Sequence, residues 1–593
     1  MSIYVVPQRE LSFIFQEIVA YQEHCQMPGF EEASADLVEV ILPEAAKFFE
    51  QVVAPTNPQG DKHPAHLKDG EVVVSPGLNE AYSKMVEAGW CCLNGDIAYG
   101  GAGFPSVVDL AVQEMSQSAN LGFSLLPMLT RGVVHALGLY GTEQQKDTYL
   151  EKLISGTWSG TMNLTEPQAG SDLSAVRTKA VANGDHYLIS GQKIYITWGD
   201  HSCAENIIHL VLARKPDSPE GNQGISLFLV PKFLVDADGN LGECNDVKTV
   251  GVEHKLGIHS SPTCTLQFGD KGGAVGYLVG EENRGLQYMF TMMNNARLAV
   301  GHQGVAVGER AYQQAAAYAK DRVQGRAEGI EGGATIIHHP DVKRMLIQMR
   351  AQTEAGRAMS FYAIAAEDRS FHHPDQQVRD ESARLVEILT PLVKGWCTEV
   401  AMETTSLGVQ VHGGMGFIEE TGAAQHMRDA RILPIYEGTN GIQALDFIGR
   451  KCLRDGGQGL SLLIAEMAET AKSVTASSSA IEALVDSLQV AIKQCQQALD
   501  YVLANPQQST SLAYGYMMLF GNSVAYWLMV KLALAAQKAI DQGSKDRFYA
   551  QKIATTEFFA HQLLTRNYAY LSSVVRGSSY LDSLDDKDFT TIQ

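Results

Sequence analysis

The chain has 593 residues, 45% of them hydrophobic and 19% charged, a globular composition long enough for several domains around sizeable cores. A formal net charge of −21 argues against an extended phosphate-binding surface and does not exclude a local basic pocket for one phosphorylated ligand. Nine cysteines, none in a C-x-x-C pair, provide neither a zinc framework nor a dithiol redox motif, and they fit a reducing compartment.

The opening MSIYVVPQRELSFIFQEI lacks the basic segment, apolar core and small-residue cleavage site of a secretory signal, and it is too acidic for a transit peptide. Residues 1 to about 160 read mainly as helices, because ASADLVEVILPEAAKFFEQVV and PGLNEAYSKMVEAGW carry apolar residues at three- and four-residue spacing. Between them and the next region, YGGAGFP is a loop whose glycines miss the G-x-G-x-x-G pattern, and no Walker loop occurs in the chain.

The texture changes after Gly160. AVRTKAVANGDHYLISGQKIYITWG sets Asn183-Gly184, a favoured hairpin turn, between two strand-like stretches, and NIIHLVLAR, GISLFLVP and PTCTLQF read as further short strands. In KIYITWG, alternation puts Tyr195 and Thr197 on one face and Ile194, Ile196 and Trp198 on the other. Helix returns at about residue 281 and continues to 450, with Pro391 expected to interrupt or kink one long segment. A Gly-rich joint, RDGGQG, then precedes about four amphipathic helices. The most apolar stretch, Met517 to Ala536, is interrupted by Asn522, Ser523 and Lys531, which favours a buried or amphipathic helix over a membrane span.

Three stretches carry chemistry. LTEPQAGSDL presents hydroxyls and backbone N–H groups that could meet a polar ligand, and reads equally as an ordinary loop. KIYITWG offers an aromatic beside a hydroxyl, suited to a flat heteroaromatic ring, or is simply a half-buried strand. In VQVHGGMGF…RILPIYEGTNGIQ, Gly413, Gly414 and Gly416 permit close backbone approach, and Glu437 stands between apolar residues and a turn. Desolvation there can raise a carboxylate's basicity; the plain alternative is a solvated glutamate at a helix end. His412 has no second ligand at useful spacing, so no metal site is expected.

Together T-E-P-x-A-G-S-D, R-D-A-R-I and I-Y-E-G-T-N-G-I-Q, in that order, resemble the acyl-CoA dehydrogenase family over residues 36 to 450. The start YVVPQRELSFIFQEI, QALDFIGRK and the long helical tail are similar to its enlarged subgroup, which includes the methylthiopropionyl-CoA dehydrogenases. The resemblance implies a mostly helical α+β fold: an N-terminal extension (1–35), a helical domain (36–159), a middle β-barrel-like domain (160–275), a four-helix bundle (281–450) and an added helical module (460–593). It implies FAD between the middle domain and the bundle, extended toward a neighbouring subunit.

In that family pattern Glu437 is the base that removes the pro-R α-proton of an acyl-CoA thioester while flavin N5 takes a hydride from the β-carbon, giving a trans-2-enoyl-CoA. Carry-over assigns Met162, Leu164, Thr165, Ser171, Tyr195 and Thr197 to the flavin side, and Arg322, Gln324, Gln410, Gly413 and Gly414 to the FAD of a partner subunit. Thr439 and Gly441 follow the base along the cofactor, and Ser171, Asn294, Arg297 and Gly438 join Glu437 on the substrate side. Three departures weaken single contacts: RVQGR lacks the phenylalanine common after Gln324, Asn294 replaces an aspartate, and Tyr195 replaces a frequent tryptophan. The implied partners are an acyl-CoA, short-chain or 3-methylthiopropionyl, and electron-transfer flavoprotein, in a cytoplasmic homodimer without nucleic acid or a membrane span. An oxidase using O2 is the alternative within the fold, although the TTIQ end lacks a peroxisomal tripeptide; a DNA-associated flavoprotein is opposed by the charge.

Overall fold

Helices begin where a short polar side chain satisfies the free N–H groups of a first turn. In the computed structural model Ser34 accepts from Leu37 N at 3.3 Å before helix Ala35–Phe48, and Asn120 accepts from Phe123 N at 3.1 Å before helix Leu121–Tyr140. Thr142 and Gln145 exchange bonds of 3.2 and 3.0 Å as a capping box ahead of helix Glu143–Ser155. The structure describes residues 4–236, 238–474 and 478–590; residues 1–3 and 591–593, on which the readings of a leader and of the TTIQ end bear, lie outside the described residues. The chain divides into two units, Gly29–Ala299 with Ile3–Val6, and Pro7–Pro28 with the chain from Val300 onward. The division falls within helix Gly285–Asp321.

In the unit Gly29–Ala299, helices come first, with one small hairpin of His66–Lys68 and Glu71–Val73 inserted among them. An eight-stranded sheet follows. Strand Asn206–Arg214 pairs with Ile225–Pro231, which pairs with Ala274–Val279, which pairs with His186–Thr197. Lys179–Asn183 bridges His186–Thr197 back to Asn206–Arg214 through Lys179 and Arg214, so the path closes on itself as a barrel. Trp158–Asn163 adds in parallel at one edge, while Thr263–Phe268 and Val247–Val252 extend from the far half of His186–Thr197. The hairpin turn is Gly184-Asp185, one residue later than expected, because Asn183 pairs with His186 and Gly184 takes the positive φ of 67°.

In the other unit, helices Pro340–His372 and Gln376–His412 pack on each other and beside the part of Gly285–Asp321 that follows Val300. Small residues set the approach: a Cβ at Gly304 would lie 2.6 Å from the Cys397 carbonyl oxygen. Helix Gln376–His412 runs uninterrupted through Pro391. Among the described residues the tail contains five α-helices from Gln458–Lys472 to Arg566–Val575, against the about four that the periodicity suggests, the first starting inside the glycine-rich joint. Helix Ser509–Asp541 seats Gly521 against Trp396, where a Cβ would stand 2.7 Å from the indole. The polar interruptions of this apolar helix are internal partners. Trp396 donates to Asn522 Oδ1 at 2.6 Å, and Asn567 donates to Ser523 Oγ at 2.9 Å. Among the described residues two helices, Leu121–Tyr140 and Pro506–Asp541, are long and apolar enough to span a bilayer, but 83% and 89% of their apolar windows are buried in the protein, as in core helices.

The N-terminal segment Pro7–Pro28 docks on the tail. Phe13 meets Phe548 edge to face at 5.2 Å, and Lys552, fully buried, pairs with both Glu10 and Glu354.

Candidate active site

Within the unit Gly29–Ala299, Met162 lies on strand Trp158–Asn163, and Leu164 and Thr165 follow it directly. Met162 and Leu164 are half-buried against the core that holds Leu210 and Met289. Ile194 N donates to the Thr165 carbonyl at 3.0 Å, stitching this turn to strand His186–Thr197. Beneath it lies an ion pair that motif reading passed over. Lys193 Nζ, fully buried, donates to Leu164 O and to Glu166 Oε1, both at 2.9 Å. Glu166 also accepts from Thr178 Oγ1 at 2.6 Å, Thr178 N at 3.0 Å, Arg177 N at 2.7 Å and Gln168 Nε2 at 2.6 Å. Burial works to raise the Glu166 carboxyl, but the Lys193 charge and these donors outweigh it and hold it at about 2. Burial pushes Lys193 down to about 8 against the pull of Glu166, which leaves it an ammonium at neutral pH. The signal in the sequence is a lysine placed directly before the apolar, aromatic run Ile194-Tyr195-Ile196.

From Tyr195 onward the strand alternates as expected: Ile196 and Trp198 are buried, while Tyr195 is 61% exposed and Thr197 half-buried. Upstream the alternation breaks. Ile196 pairs with Cys264 and Lys193 with Leu266, so Ile194 and Tyr195 together face Thr265. This bulge buries Lys193, which simple alternation would put on the Tyr195 face, and gives Tyr195 a φ of +59°. A large ring held exposed on a left-handed backbone suits stacking on a flat ligand. Ser171 stands exposed in the loop beyond. On helix Gly285–Asp321, Arg297 is buried, donates to Asn294 Oδ1 at 3.2 Å and lies 6.0 Å from the Phe290 ring centre.

In the unit that begins at Val300, Glu437 is half-buried with φ +52°, and Gly438 follows at φ +82°. Two successive left-handed residues make a sharp turn that a side chain bearing Cβ rarely adopts. The Thr439 hydroxyl accepts from Ile442 N at 3.2 Å and caps helix Asn440–Gly449, whose first turn contains Gly441. Asn440 N reaches back to the Pro434 carbonyl at 3.0 Å and closes the loop. Tyr436 donates its hydroxyl to Gln303 Oε1. Burial first, then the charge of Glu437, push the Tyr436 phenol well above its ordinary pKa, so it stays a donor.

At another place in this unit, helix Gln376–His412 stops at Gly413 with φ 59° and ψ −139°, a backbone open to glycine alone. A Cβ at Gly413 or Gly414 would meet nothing within 4 Å, so the chain's own packing leaves both open to an approaching group. Gln410 is exposed beside them. Arg322 and Gln324 follow helix Gly285–Asp321 in a short bridge, with Ile336 N on the Arg322 carbonyl at 2.8 Å and Gln324 N on the Ala334 carbonyl at 2.9 Å. Tyr318 stacks on His412 at 4.4 Å, which sets these two turns at one end of the helix pair. The Glu437 loop is not there. Tyr436 bonds to Gln303, and at 1.5 Å per residue the helix carries about 28 Å from Gln303 to Arg322.

Helical domain, closed β domain and helical bundle follow one another along the chain, with a buried-cation turn in the second and a kinked glutamate loop in the third, and this order matches the acyl-CoA dehydrogenase family. Family models for the acyl-CoA dehydrogenase N-terminal, middle and C-terminal domains match residues 38–157, 161–271 and 283–453, and an acetyl-CoA dehydrogenase C-terminal-like model matches 463–585. The chain belongs to the acyl-CoA dehydrogenase family and is an oxidoreductase acting on an acyl-CoA.

More particularly, it is 46% identical to the 3-methylmercaptopropionyl-CoA dehydrogenase of Ruegeria pomeroyi, over 95% of this chain and 96% of that one. It is 35% identical to a broad-specificity linear acyl-CoA dehydrogenase of Mycobacterium tuberculosis, again over 95% and 96%. A crystal structure of an acyl-CoA dehydrogenase complexed with FAD, from Bacillus anthracis, shares the fold with a TM-score of 0.74 at 24% identity, over 96% of this chain and 93% of that one.

Proposed function

We propose that the enzyme dehydrogenates a short acyl-CoA thioester between its α and β carbons, with Glu437 as the base that takes the α-proton. The carrying observation is the backbone of Glu437: a carboxylate on a left-handed residue, half-buried, in a loop closed by Asn440 N on Pro434 O. Such strain persists where the surroundings over-determine it, and it clusters at reactive sites.

The cofactor is FAD, and the residues present fit it. Tyr195 is exposed on its bulge, the Thr165 turn is held from below by Lys193, and Gly413 and Gly414 leave backbone open to a ligand. When bound, the flavin supplies the acceptor for the β-hydride. Glu437 receives the α-proton; Thr165, Thr197 and Ser171 offer hydroxyls to polar edges; Arg297, desolvated and held by Asn294, places a positive charge on the substrate side. Arg322, Gln324, Gln410, Gly413 and Gly414 serve a second subunit's cofactor in a homodimer. The about 28 Å of helix between the Gln303 anchor and Arg322 supports a role for Arg322 apart from the Glu437 loop of its own chain.

The 46% relative supports 3-methylthiopropionyl-CoA as the substrate, with short linear acyl-CoAs as the nearest alternative. The family resemblance supports electron-transfer flavoprotein as acceptor. The test is a panel of acyl-CoA thioesters against an artificial electron acceptor, with oxygen uptake followed in parallel. A preference for long-chain thioesters would overturn the substrate, and turnover sustained by O2 alone would overturn the acceptor.

A further inference from the structure

We propose that Gln303 is a positioning residue for proton transfer, acting through Tyr436 to hold the carboxylate of Glu437 at its working place. The inference deepens the reaction above and rests on Glu437 being its base.

Glu437 and Gly438 are both left-handed, a backbone path that a residue with a Cβ leaves readily unless it is clamped. The downstream clamp is Asn440, itself buried. Lys394, also buried, donates to its Oδ1 at 2.9 Å, and its amide donates to Thr398 Oγ1 at 2.9 Å and Glu399 Oε1 at 2.8 Å. All three partners lie on helix Gln376–His412. The upstream clamp is the hydrogen bond from Tyr436 to Gln303. Gln303 is fully buried on helix Gly285–Asp321, and that wall is stiff. Its neighbours Gly301 and Gly304 press against Val393 and Cys397 so closely that a Cβ at either would stand 2.6 Å from a backbone oxygen.

Glu437 thus sits between two fixed points, residues 436 and 440, each tied to a different helix. Release at 436 unties the upstream side from its helix and leaves it to the local turn, in which Ile435 N and Tyr436 N bond the Ile432 carbonyl at 2.9 and 3.1 Å. The loop then relaxes toward ordinary φ, and the carboxylate moves with it. A misplacement of about 1 Å is enough to lower a proton transfer by up to about 100-fold without removing any reacting group.

The experiment uses the full-length holoenzyme and the variants Tyr436→Phe, Gln303→Met and their double, with Glu437→Gln as control. The probes are 3-methylthiopropionyl-CoA and butyryl-CoA. Anaerobic flavin reduction in a single turnover should fall about 10- to 100-fold in each single variant, with the acyl-CoA dissociation constant changed less than about threefold. The double variant should be no slower than the slower single one, because both remove the same bond. Amide hydrogen exchange on substrate-free protein should rise in the peptide 433–440 and stay unchanged in helix Asn440–Gly449 beyond its first turn.

Wild-type reduction rates in Tyr436→Phe beside a dead Glu437→Gln would overturn the positioning role alone, as would single effects that multiply in the double variant. Reduction at the wild-type rate in Glu437→Gln would overturn the base and this inference together. Tyr436→Phe keeps the ring, so it carries the test if Gln303→Met fails to fold.

Discussion

Replacing Lys193 with Met tests whether the turn at Thr165 is held from beneath. The change keeps the aliphatic stem, which fits a site with no exposed area, and deletes the ammonium. Breaking a buried ion pair by removing one partner costs about 3–5 kcal/mol, because the other charge is left uncompensated. Here the remaining partner is not stranded. Glu166 keeps donors from Thr178 N, Thr178 Oγ1, Arg177 N and Gln168 Nε2, which places the loss at the low end, about 3 kcal/mol. The Leu164 carbonyl loses its charged donor at the same time, so the damage falls on the residues flanking Thr165. In a unit of roughly 250 residues this corresponds to a melting temperature about 6–12 °C lower. Thermal unfolding followed by circular dichroism, with flavin release read by fluorescence in the same scan, measures both. FAD should leave before the protein unfolds. A variant that melts within about 2 °C of wild type and retains flavin as firmly would refute the reasoning.

The remaining predictions concern other parts of the same argument. Glu437→Gln keeps the side chain's shape and should bind FAD and acyl-CoA normally, yet slow anaerobic flavin bleaching by about 10³-fold; stopped-flow absorbance decides it. Because Glu166 is held at about 2, below its unfolded value of 4.5, the stability it contributes is complete above pH 4.5 and is lost as pH falls toward 2. Lys193→Met lets that carboxyl rise, so its acid unfolding should begin at higher pH than in wild type, as urea midpoints between pH 2 and 6 would record. Thr439→Ala removes the cap on Ile442 N and should cost about 1 kcal/mol, with weaker flavin retention on gel filtration. Lys552→Met leaves Glu10 and Glu354 facing each other without their shared cation, at about 3–5 kcal/mol, and should expose the N-terminal segment to limited proteolysis. Proteolysis no faster than in wild type would argue that the aromatic contacts around Phe13 suffice.

Much of this protein is legible in contiguous residues. The order of helices, strands and helices follows from a change of hydrophobic period near Gly160 and again near residue 281, since burial of one face imposes 3.6 or 2 on any sequence that folds. The motif around Glu437 is legible for a related reason: the glutamate, its glycine and the capping threonine lie side by side in the chain, and a tight loop leaves them nowhere else to be. What tertiary structure decided are the properties that depend on a residue far away. The bulge at Ile194–Tyr195 arises because strand Thr263–Phe268 offers only Thr265 opposite the pair, and it buries Lys193 where strict alternation would expose it. Asn522 and Ser523 read as breaks in an apolar helix, and only the approach of Trp396 and Asn567 makes them internal donors and acceptors. Gln303 meets Tyr436 across 133 residues, and Lys394 meets Asn440 across 46. No local pattern announces either contact, because the physical requirement each satisfies, a partner for a buried polar group at one bend of the chain, exists only once the helices have packed.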